Sequence, residues 1–290
     1  MSDADIASRP DGLRQFDPPP IIGSDSQVIA YFQAAKRSQG RPKMTQYDGR
    51  RVVITGGTSG MGLATAKLLL DKGARVLVTG RSQAAVHSAR DTLGPNAIAI
   101  QSDATSTLDI DALADRAKAE FGGIDLLFVN AGSTRFVPFQ DMTEAVYDDL
   151  LTLNTKAPYF TVQRLVPLMA EGSAIVLTTS VVNVMGLPLV SAYSASKAAL
   201  RSMARTLAVE LLPRGIRVNA VSPGPIDTTI LAKAMPLEDA EQTKYQMAQD
   251  NPMKHLGHPD EVAKAVAFLA FEATYTTGAE FAVDGGASQL

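Results

Sequence analysis

Short, almost continuous apolar runs alternate along most of the chain with longer stretches in which apolar residues recur every three or four positions. The runs predict buried strands, and the longer stretches predict amphipathic helices. The predicted strands are Arg51–Thr55, Arg75–Thr79, Ala97–Gln101, Asp125–Val129, Ala174–Thr179, Ile216–Val221 and Glu280–Val283. The predicted helices include Gly62–Lys72, Thr107–Phe121, Thr143–Leu168, Tyr193–Leu212 and Pro259–Phe271.

Strands that are apolar on both faces are typical of a parallel sheet that is covered by helices on both sides. The alternation of strand and helix therefore predicts an α/β fold, with a doubly wound, Rossmann-like parallel sheet of about seven strands. We expect this sheet and its helices to form a single domain over residues 44–290.

The first 43 residues do not follow this alternation, and they contain three consecutive prolines, Pro18–Pro20. Because proline fixes φ and lacks a backbone donor, residues 1–43 are predicted to be a disordered or loosely docked N-terminal extension. One short helix is expected within it, from about Asp25 to Lys36, with Ser24 as its cap. An arm that binds a partner or braces an oligomer is the alternative.

Composition and charge exclude several classes of function. The chain has 290 residues, a formal net charge of −3 and no cysteine, so disulfides, thiol catalysis and cysteine-ligated zinc are excluded. His87, His255 and His258 do not have the spacing of metal ligands, and we expect no metal site. The nearly balanced charge argues against a nucleic-acid partner, and no apolar run reaches the roughly 18 residues that cross a membrane. Since the acidic N-terminus lacks a signal-peptide pattern, the expected location is the cytoplasm.

A glycine-rich turn, Gly56-Gly-Thr-Ser-Gly-Met-Gly62, follows the first predicted strand and precedes a predicted helix. Glycine allows a sharp turn and a close approach of backbone to a ligand. The start of a helix offers unpaired N–H groups and a partial positive charge. The turn therefore predicts a binding site for the pyrophosphate of a dinucleotide, and a plain tight turn is the alternative.

The second predicted strand ends beside Gly80 and Arg81. In dinucleotide-binding folds this strand end meets the adenosine ribose, where a carboxylate would bind the hydroxyls and repel a 2′-phosphate. An arginine instead pairs with a phosphate through two parallel hydrogen bonds. The sequence therefore favours NADP(H) over NAD(H), and a solvated Arg81 that tolerates either cofactor is the alternative.

Tyr193 and Lys197 lie four positions apart at the start of a predicted helix, so their side chains share one face. A nearby cation favours the phenolate and lowers the pKa of tyrosine from its usual value near 10. Ser180 follows an apolar strand, and ligands of open α/β sheets bind outside the carboxyl ends of strands. These residues predict a proton-transfer site, with Ser180 donating to a substrate oxygen. An exposed helical Tyr–Lys pair is the alternative.

Two asparagines are placed in a similar way. Asn130 opens the sequence Asn130-Ala-Gly132 directly after a predicted strand, and Asn154 lies in the helix that follows. The amide of Asn154 is expected to anchor a water chain towards Lys197. Either asparagine alone would be typical of a helix cap or a satisfied core amide, and it is the joint placement at strand ends that points to a site.

Taken together, these residues resemble the classical short-chain dehydrogenase/reductase family. The matching motifs, in the family's order, are Thr55-Gly-Gly-Thr-Ser-Gly-Met-Gly62, Asp103, Asn130-Ala-Gly132, Asn154, Ser180, Tyr193-x-x-x-Lys197, Pro223-Gly224 and Val283-Asp-Gly-Gly286. The resemblance implies an oxidoreductase that transfers hydride between a nicotinamide and a small-molecule ketone or alcohol. It also implies a homotetramer or homodimer.

The resemblance assigns a role to each matching residue. Tyr193 is implied as the general acid or base, Lys197 as the group that lowers its pKa, and Ser180 as the group that orients the reacting oxygen. Asn154 is implied as a support for the proton relay. The implied cofactor-binding residues are Gly56, Thr58, Ser59, Gly60, Met61, Arg81, Ser82, Asp103, Ala104, Asn130, Ala131, Gly132, Tyr193, Lys197, Pro223, Gly224, Ile226 and Thr228.

The substrate side of the site is less well defined by the sequence. Residues 227–253 mix flexible, apolar and charged positions, as a lid does, and an ordinary pair of surface helices is the alternative. The apolar residues that flank the predicted strand ends are Phe136, Val182, Met185, Leu187 and Leu189. They suit a ketone or secondary alcohol of modest polarity. Arg135 is the nearest basic candidate for holding a substrate carboxylate or phosphate, and a solvated arginine is the alternative.

The sequence therefore predicts an NADP(H)-dependent carbonyl reductase or secondary alcohol dehydrogenase. A non-catalytic NADP(H)-sensing binding module is the alternative from another functional class. Epimerisation or dehydration on the same fold is a weaker possibility.

Overall fold

The computed structural model describes residues 46–290, except for the side chains of Lys233 and Ala234. The predicted N-terminal extension and its short helix lie outside the described residues. The strands, named β1 to β7 in chain order, are Arg51–Thr55, Arg75–Gly80, Ala97–Gln101, Ile124–Val129, Met169–Thr178, Arg217–Pro223 and Glu280–Val283. All are parallel, in the order β3-β2-β1-β4-β5-β6-β7. The prediction of a doubly wound parallel sheet is confirmed.

Nine α-helices connect and flank these strands within residues 46–290. Named α1 to α9 in chain order, they are Gly60–Asp71, Gln83–Leu93, Thr107–Phe121, Glu144–Leu151, Ala157–Leu165, Ser191–Leu211, Ile230–Ala234, Leu237–Asp250 and Pro259–Ala267. In this part of the chain no helix is both long and apolar enough to span a membrane.

The core consists of two apolar clusters on opposite faces of the sheet. Val52 and Ile54 of β1 belong to one cluster, while Val53 between them belongs to the other. This follows from the alternation of side chains along a strand. Helices α1 and α9 pack on the first face, and α3, α5 and α6 pack on the second. Because both faces are covered, the strands are apolar nearly throughout.

The predicted helix Thr143–Leu168 is wrong as one continuous element. A π-helical turn, Thr152–Lys156, separates α4 from α5, and a 3₁₀ turn follows α5. Pro158 has no N–H to donate to the carbonyl of residue 154, so the regular α-helical ladder is interrupted at this point. The predicted helix Pro259–Phe271 likewise ends at Ala267 and continues as a π-helical turn, Phe268–Glu272.

Two further elements differ from the sequence prediction. The helix α2 was not among the predicted helices, and it buries only Val86 and Ala89. Strand β5 begins at Met169, five residues before the predicted start at Ala174, and includes Gly172 at a φ of +84°. Residues 227–253, predicted as a lid, contain the helices α7 and α8.

Candidate active site

The turn between β1 and α1 forms one wall of the site, and close backbone contacts require its glycines. Gly56 has a φ of +64°, and a Cβ atom there would lie 2.8 Å from the Cα of Ala131. A Cβ atom at Gly62 would meet the backbone oxygen of Gly56 and lie 2.7 Å from the side-chain nitrogen of Asn130. The turn therefore packs backbone against backbone, beside the N–H groups at the start of α1 that favour an anion.

The carboxyl ends of β2 and β3 form the adjoining part of the site. A Cβ atom at Gly80 would overlap the Oγ1 of Thr58, so a longer side chain at Gly80 requires Thr58 to move. Arg81 follows and is exposed, while the Oγ of Ser82 caps α2 by accepting a hydrogen bond from the Ala85 N–H. After β3, one carboxylate oxygen of Asp103 accepts hydrogen bonds from the backbone N–H and the hydroxyl of Thr105.

Asn130 joins three neighbouring strands at their carboxyl ends. Its side-chain nitrogen donates to the Gly56 carbonyl at 3.0 Å, and its side-chain oxygen accepts from the Thr178 hydroxyl at 3.2 Å. Its backbone N–H donates to the Oγ1 of Thr55 at 3.1 Å. The side chain of Asn130 therefore fixes the glycine-rich turn to the middle of the sheet.

Asn154 lies on the π-helical turn and is completely buried. Its side-chain oxygen accepts from the Ser133 N–H at 3.0 Å, and its nitrogen donates to the Ser133 carbonyl at 2.9 Å and the Ser196 hydroxyl at 3.1 Å. These contacts tie the loop after β4 to α6 through Asn154. The water chain from this amide towards Lys197 stays a prediction.

Tyr193, Lys197 and Ser180 come together at the carboxyl end of β5. Ser180 follows β5 and is 8% exposed, while Tyr193 and Lys197 lie one turn apart on α6. The Ser180 side chain lies beside the Tyr193 hydroxyl, close enough to act on its pKa. The Lys197 ammonium donates to the Thr178 carbonyl at 2.7 Å and lies 5.8 Å from the centre of the Tyr193 ring. Since Lys197 is 4% exposed, the pair does not match an exposed helical pair.

Burial controls the ionisation of both groups. Although Tyr193 as a residue is half-buried, its hydroxyl is surrounded by protein, and burial raises its pKa above the usual value. The neighbouring Ser180 side chain lowers the pKa of Tyr193 by a smaller amount. Burial also lowers the pKa of Lys197 to about 8. The net effect of the protein's own groups is therefore to raise the pKa of Tyr193. This is opposite to the lowering expected from Lys197 alone.

A second polar network lies next to Ser180 and was not predicted. Glu280 on β7 accepts hydrogen bonds from the Thr179 hydroxyl at 2.5 Å and from the Asn183 side-chain nitrogen at 2.7 Å. Its other oxygen lies 3.4 Å from the Nε of Arg201 on α6. We call these four residues the Glu280 network. It links both sides of Ser180 to the helix that carries Tyr193.

A cavity of about 400 Å³ runs along the carboxyl ends of β1 to β4. It is lined by Gly56, Thr58, Ser59, Gly60, Met61, Thr79, Gly80, Arg81, Ser102, Asp103, Ala104, Asn130, Ala131, Gly132, Ser133, Thr134, Arg135, Leu153, Thr228, Thr229 and Ile230. These include twelve of the residues predicted to bind a cofactor. The other predicted residues, which do not line it, are Ser82, Asn154, Ser180, Tyr193, Lys197, Pro223, Gly224 and Ile226.

The residues after β6 have backbone roles that explain their position outside the cavity. Gly224 donates to the Val283 carbonyl at 3.0 Å, and a Cβ atom there would lie 2.7 Å from the Cβ of Asp284. Ile226 forms a parallel bridge with Gly257. Gly224 and Ile226 themselves do not line the cavity, and this part of the chain reaches it at Thr228.

Known proteins that are similar to this chain include several oxidoreductases. A family model described as enoyl-(acyl carrier protein) reductase matches residues 56–288. An oxidoreductase named asL5 from Sarocladium schorii is 40% identical over 245 residues, which are 83% of this chain and 97% of that protein. The cis-4-hydroxycyclohexanecarboxylate dehydrogenase of Sinomonas cyclohexanicum is 37% identical over 243 residues, or 82% and 96% of the two chains.

A solved structure provides the family name. It is a short-chain dehydrogenase/reductase from Brucella melitensis, described as a glucose/ribitol dehydrogenase, with a TM-score of 0.76 and 30% identity. The match covers 86% of this chain and all of that one. The chain belongs to the classical short-chain dehydrogenase/reductase family. It is therefore an oxidoreductase of alcohol and carbonyl groups, from a family that uses nicotinamide cofactors.

The cavity of this short-chain dehydrogenase/reductase also has lining residues that the sequence analysis did not assign to the cofactor. They are Thr79, Gly80, Ser102, Ser133, Thr134, Arg135, Leu153, Thr229 and Ile230. Ser102 directly follows β3, so the rule that ligands collect at strand ends would have found it. Leu153 carries no comparable signal, because only the π-helical turn brings it to the cavity.

Proposed function

We propose that this protein is an NADP(H)-dependent carbonyl reductase or secondary alcohol dehydrogenase, with Tyr193 as the general acid and base. One observation carries the proposal. The Tyr193 hydroxyl lies beside Ser180 and the buried Lys197, at the same sheet edge as the glycine-lined cavity.

The residues of the cavity fit a dinucleotide that carries a 2′-phosphate. Gly56 and Gly62 leave the turn without side chains, so the N–H groups at the start of α1 face a pyrophosphate directly. Arg81 offers a guanidinium where the adenosine ribose lies in this fold, and Gly80 offers no carboxylate there. NAD(H) is the alternative cofactor. When bound, the nicotinamide supplies the hydride in reduction and accepts it in oxidation.

The chain's own residues handle the proton. Because burial raises its pKa, Tyr193 is protonated at neutral pH and can donate its hydroxyl proton to a carbonyl oxygen during reduction. In oxidation the deprotonated, phenolate form of Tyr193 takes the proton from the alcohol. Ser180 orients the reacting oxygen, and the Lys197 charge stabilises the phenolate that remains. Asn154 supports this arrangement by fixing the start of α6 against the loop after β4.

The surrounding chain completes the proposal. Residues 1–43 form an extension to a catalytic domain of residues 44–290, and residues 227–253 form a lid over the substrate. An ion pair of 3.0 Å between Asp227 and Lys244 ties the first residue of this segment to α8. We also propose that the protein works as a homotetramer or homodimer in the cytoplasm.

The test is Tyr193→Phe. We expect ketone-dependent NADPH oxidation to fall at least about 100-fold, because the proton donor is lost. The dissociation constant for NADPH should change less than about threefold, since binding rests mainly on the backbone turn and Arg81. The exposed Tyr147→Phe is the matched control and should keep wild-type turnover.

Turnover near the wild-type rate in Tyr193→Phe would remove Tyr193 from its role. Wild-type protein that binds NADPH but oxidises it with no member of a broad ketone panel would instead favour the non-catalytic, cofactor-sensing module.

A further inference from the structure

Arg135 lies on the loop that leaves β4, and it lines the cavity. Its Nη1 donates to the Thr134 carbonyl at 2.9 Å. Among the described residues, no carboxylate lies within ion-pair distance of its guanidinium. The remaining N–H groups of Arg135 therefore have no anionic partner within residues 46–290.

The neighbouring Thr134 has an unusual environment. It is 6% exposed and lines the same cavity, yet its buried hydroxyl has no hydrogen-bond partner among the described residues. A buried hydroxyl without a partner is unfavourable, so an acceptor supplied by a ligand would stabilise it. Two adjacent residues thus place unused hydrogen-bonding groups at one end of the cavity.

The loop that carries Arg135 is joined to the substrate side of the site. The Val137 N–H donates to the Leu189 carbonyl at 2.8 Å, and Leu189 lies between Ser180 and Tyr193 in the chain. Leu189 has a φ of 69°, a conformation that non-glycine residues adopt at a cost and that concentrates at ligand-binding sites. The same segment exposes the apolar side chains of Val184, Leu187 and Leu189.

We propose that Arg135, supported by the Thr134 hydroxyl, binds a carboxylate on the substrate. The substrate is then a ketone or secondary alcohol with a carboxylate at one end and an apolar body that packs along Val184, Leu187 and Leu189. A guanidinium pairs with a carboxylate through two parallel hydrogen bonds, which selects the anion over its neutral ester. This inference rests on the proposed function, because it specifies the substrate class of the same site.

The first test compares 4-oxocyclohexanecarboxylate with its methyl ester as substrates of the full-length protein. We expect wild type to favour the acid in kcat/KM by about tenfold or more. Arg135→Ala should lower kcat/KM for the acid about tenfold and leave the ester within about twofold. Arg135→Lys keeps the charge but cannot form two parallel hydrogen bonds. Its kcat/KM for the acid should therefore lie between those of wild type and Arg135→Ala. The control Arg116→Ala removes the same charge from the outer helix α3 and should change neither value.

An equal loss for acid and ester in Arg135→Ala, or no loss for either, would overturn the proposal. The first result would assign Arg135 to the cofactor instead. Turnover of the ester without preference for the acid would leave the proposed function standing and reject only the carboxylate site.

The second test does not depend on turnover. Cyclohexanecarboxylate and cyclohexanecarboxamide are titrated by calorimetry into the full-length protein with NADP⁺ present. We expect the carboxylate to bind at least about tenfold more tightly, with this advantage lost in Arg135→Ala and reduced by high salt. Thr134→Val should weaken binding of the carboxylate alone. Equal affinity for the two compounds would refute the carboxylate site even if neither ketone were reduced.

Discussion

The two halves of the sheet contribute to the site in different ways. On the side of β1 to β3, the site is shaped by missing side chains, since Gly56, Gly62 and Gly80 each fit closely against a neighbour. On the side of β5 to β7, it is shaped by buried polar side chains, such as Lys197 and the Glu280 network. The first half therefore depends on steric space, and the second depends on satisfied hydrogen bonds and charges.

The largest expected effect tests the steric half. Gly62→Ala should lower the free energy of unfolding by about 2–3 kcal/mol, because the new methyl meets the Gly56 backbone and the Asn130 side chain. Gly186→Ala is the matched control, since no atom lies within 4 Å of the place its Cβ would take. It should change stability by less than about 1 kcal/mol. Urea unfolding measures the stability of both variants. Equal stabilities of Gly62→Ala and Gly186→Ala would show that the turn tolerates the added methyl group.

The next prediction tests the polar half through pH. Burial lowers the pKa of Lys197 to about 8 in the folded protein, against about 10.4 when unfolded. Above pH 8 the folded state therefore releases this proton before the unfolded state does, and stability rises with pH. From pH 7 to pH 9.5, we expect the unfolding free energy of wild type to rise by about 2 kcal/mol relative to that of Lys197→Met.

Because wild type and Lys197→Met contain the same tyrosines, the ionisation of unfolded tyrosines near pH 10 contributes equally to both proteins. A difference that is flat across this range would mean that Lys197 is solvated in the folded protein.

A smaller effect is expected from the Glu280 network. Glu280→Gln removes the charge that faces Arg201, a side chain only 14% exposed, and should lower the unfolding free energy by about 1–2 kcal/mol. Asp111→Asn is the control, because its ion pair with Arg164 is close to half exposed on both sides and should contribute less than about 1 kcal/mol. If the two variants lost the same unfolding free energy, the buried pair would stabilise the protein no more than the surface pair does.

The smallest expected effect concerns Arg81, an exposed residue that lines the cavity next to Gly80. Arg81→Ala should weaken NADPH binding about tenfold, because a charge-assisted phosphate contact is lost at an exposed site. NADH, which lacks the phosphate, should bind within about twofold of wild type. Fluorescence titration of both cofactors measures the ratio, and equal weakening would contradict the phosphate role of Arg81.

The sequence predicted the steric half better than the polar half. Glycines at a strand–helix junction are visible in the sequence, and the buried apolar strands gave the sheet with small errors at the ends. The Glu280 network was missed because Thr179 and Glu280 lie 101 positions apart, and only the pairing of β5, β6 and β7 brings them together. The break at Thr152–Lys156 was missed because the apolar period continues through it, while Pro158 changes the backbone bonding.

The raised pKa of Tyr193 shows a similar limit. The spacing of Tyr193 and Lys197 placed both groups on one helix face, as found. It did not indicate how deeply the two side chains are buried, and burial decides the direction of both pKa shifts. Neighbouring charges can be read from a sequence, whereas the loss of solvent around them depends on the packing of the whole sheet edge.

The contact between Gly80 and Thr58 has a consequence for protein engineering. Changing nucleotide preference usually starts by installing an acid at the end of the second strand, and here that acid would overlap a threonine from the preceding turn. A redesign of this enzyme therefore has to let the Thr58 side chain move or has to shorten it, for example to alanine or glycine. Randomising positions 58 and 80 together addresses this overlap, whereas varying position 80 alone leaves the Thr58 side chain in contact with any new Cβ.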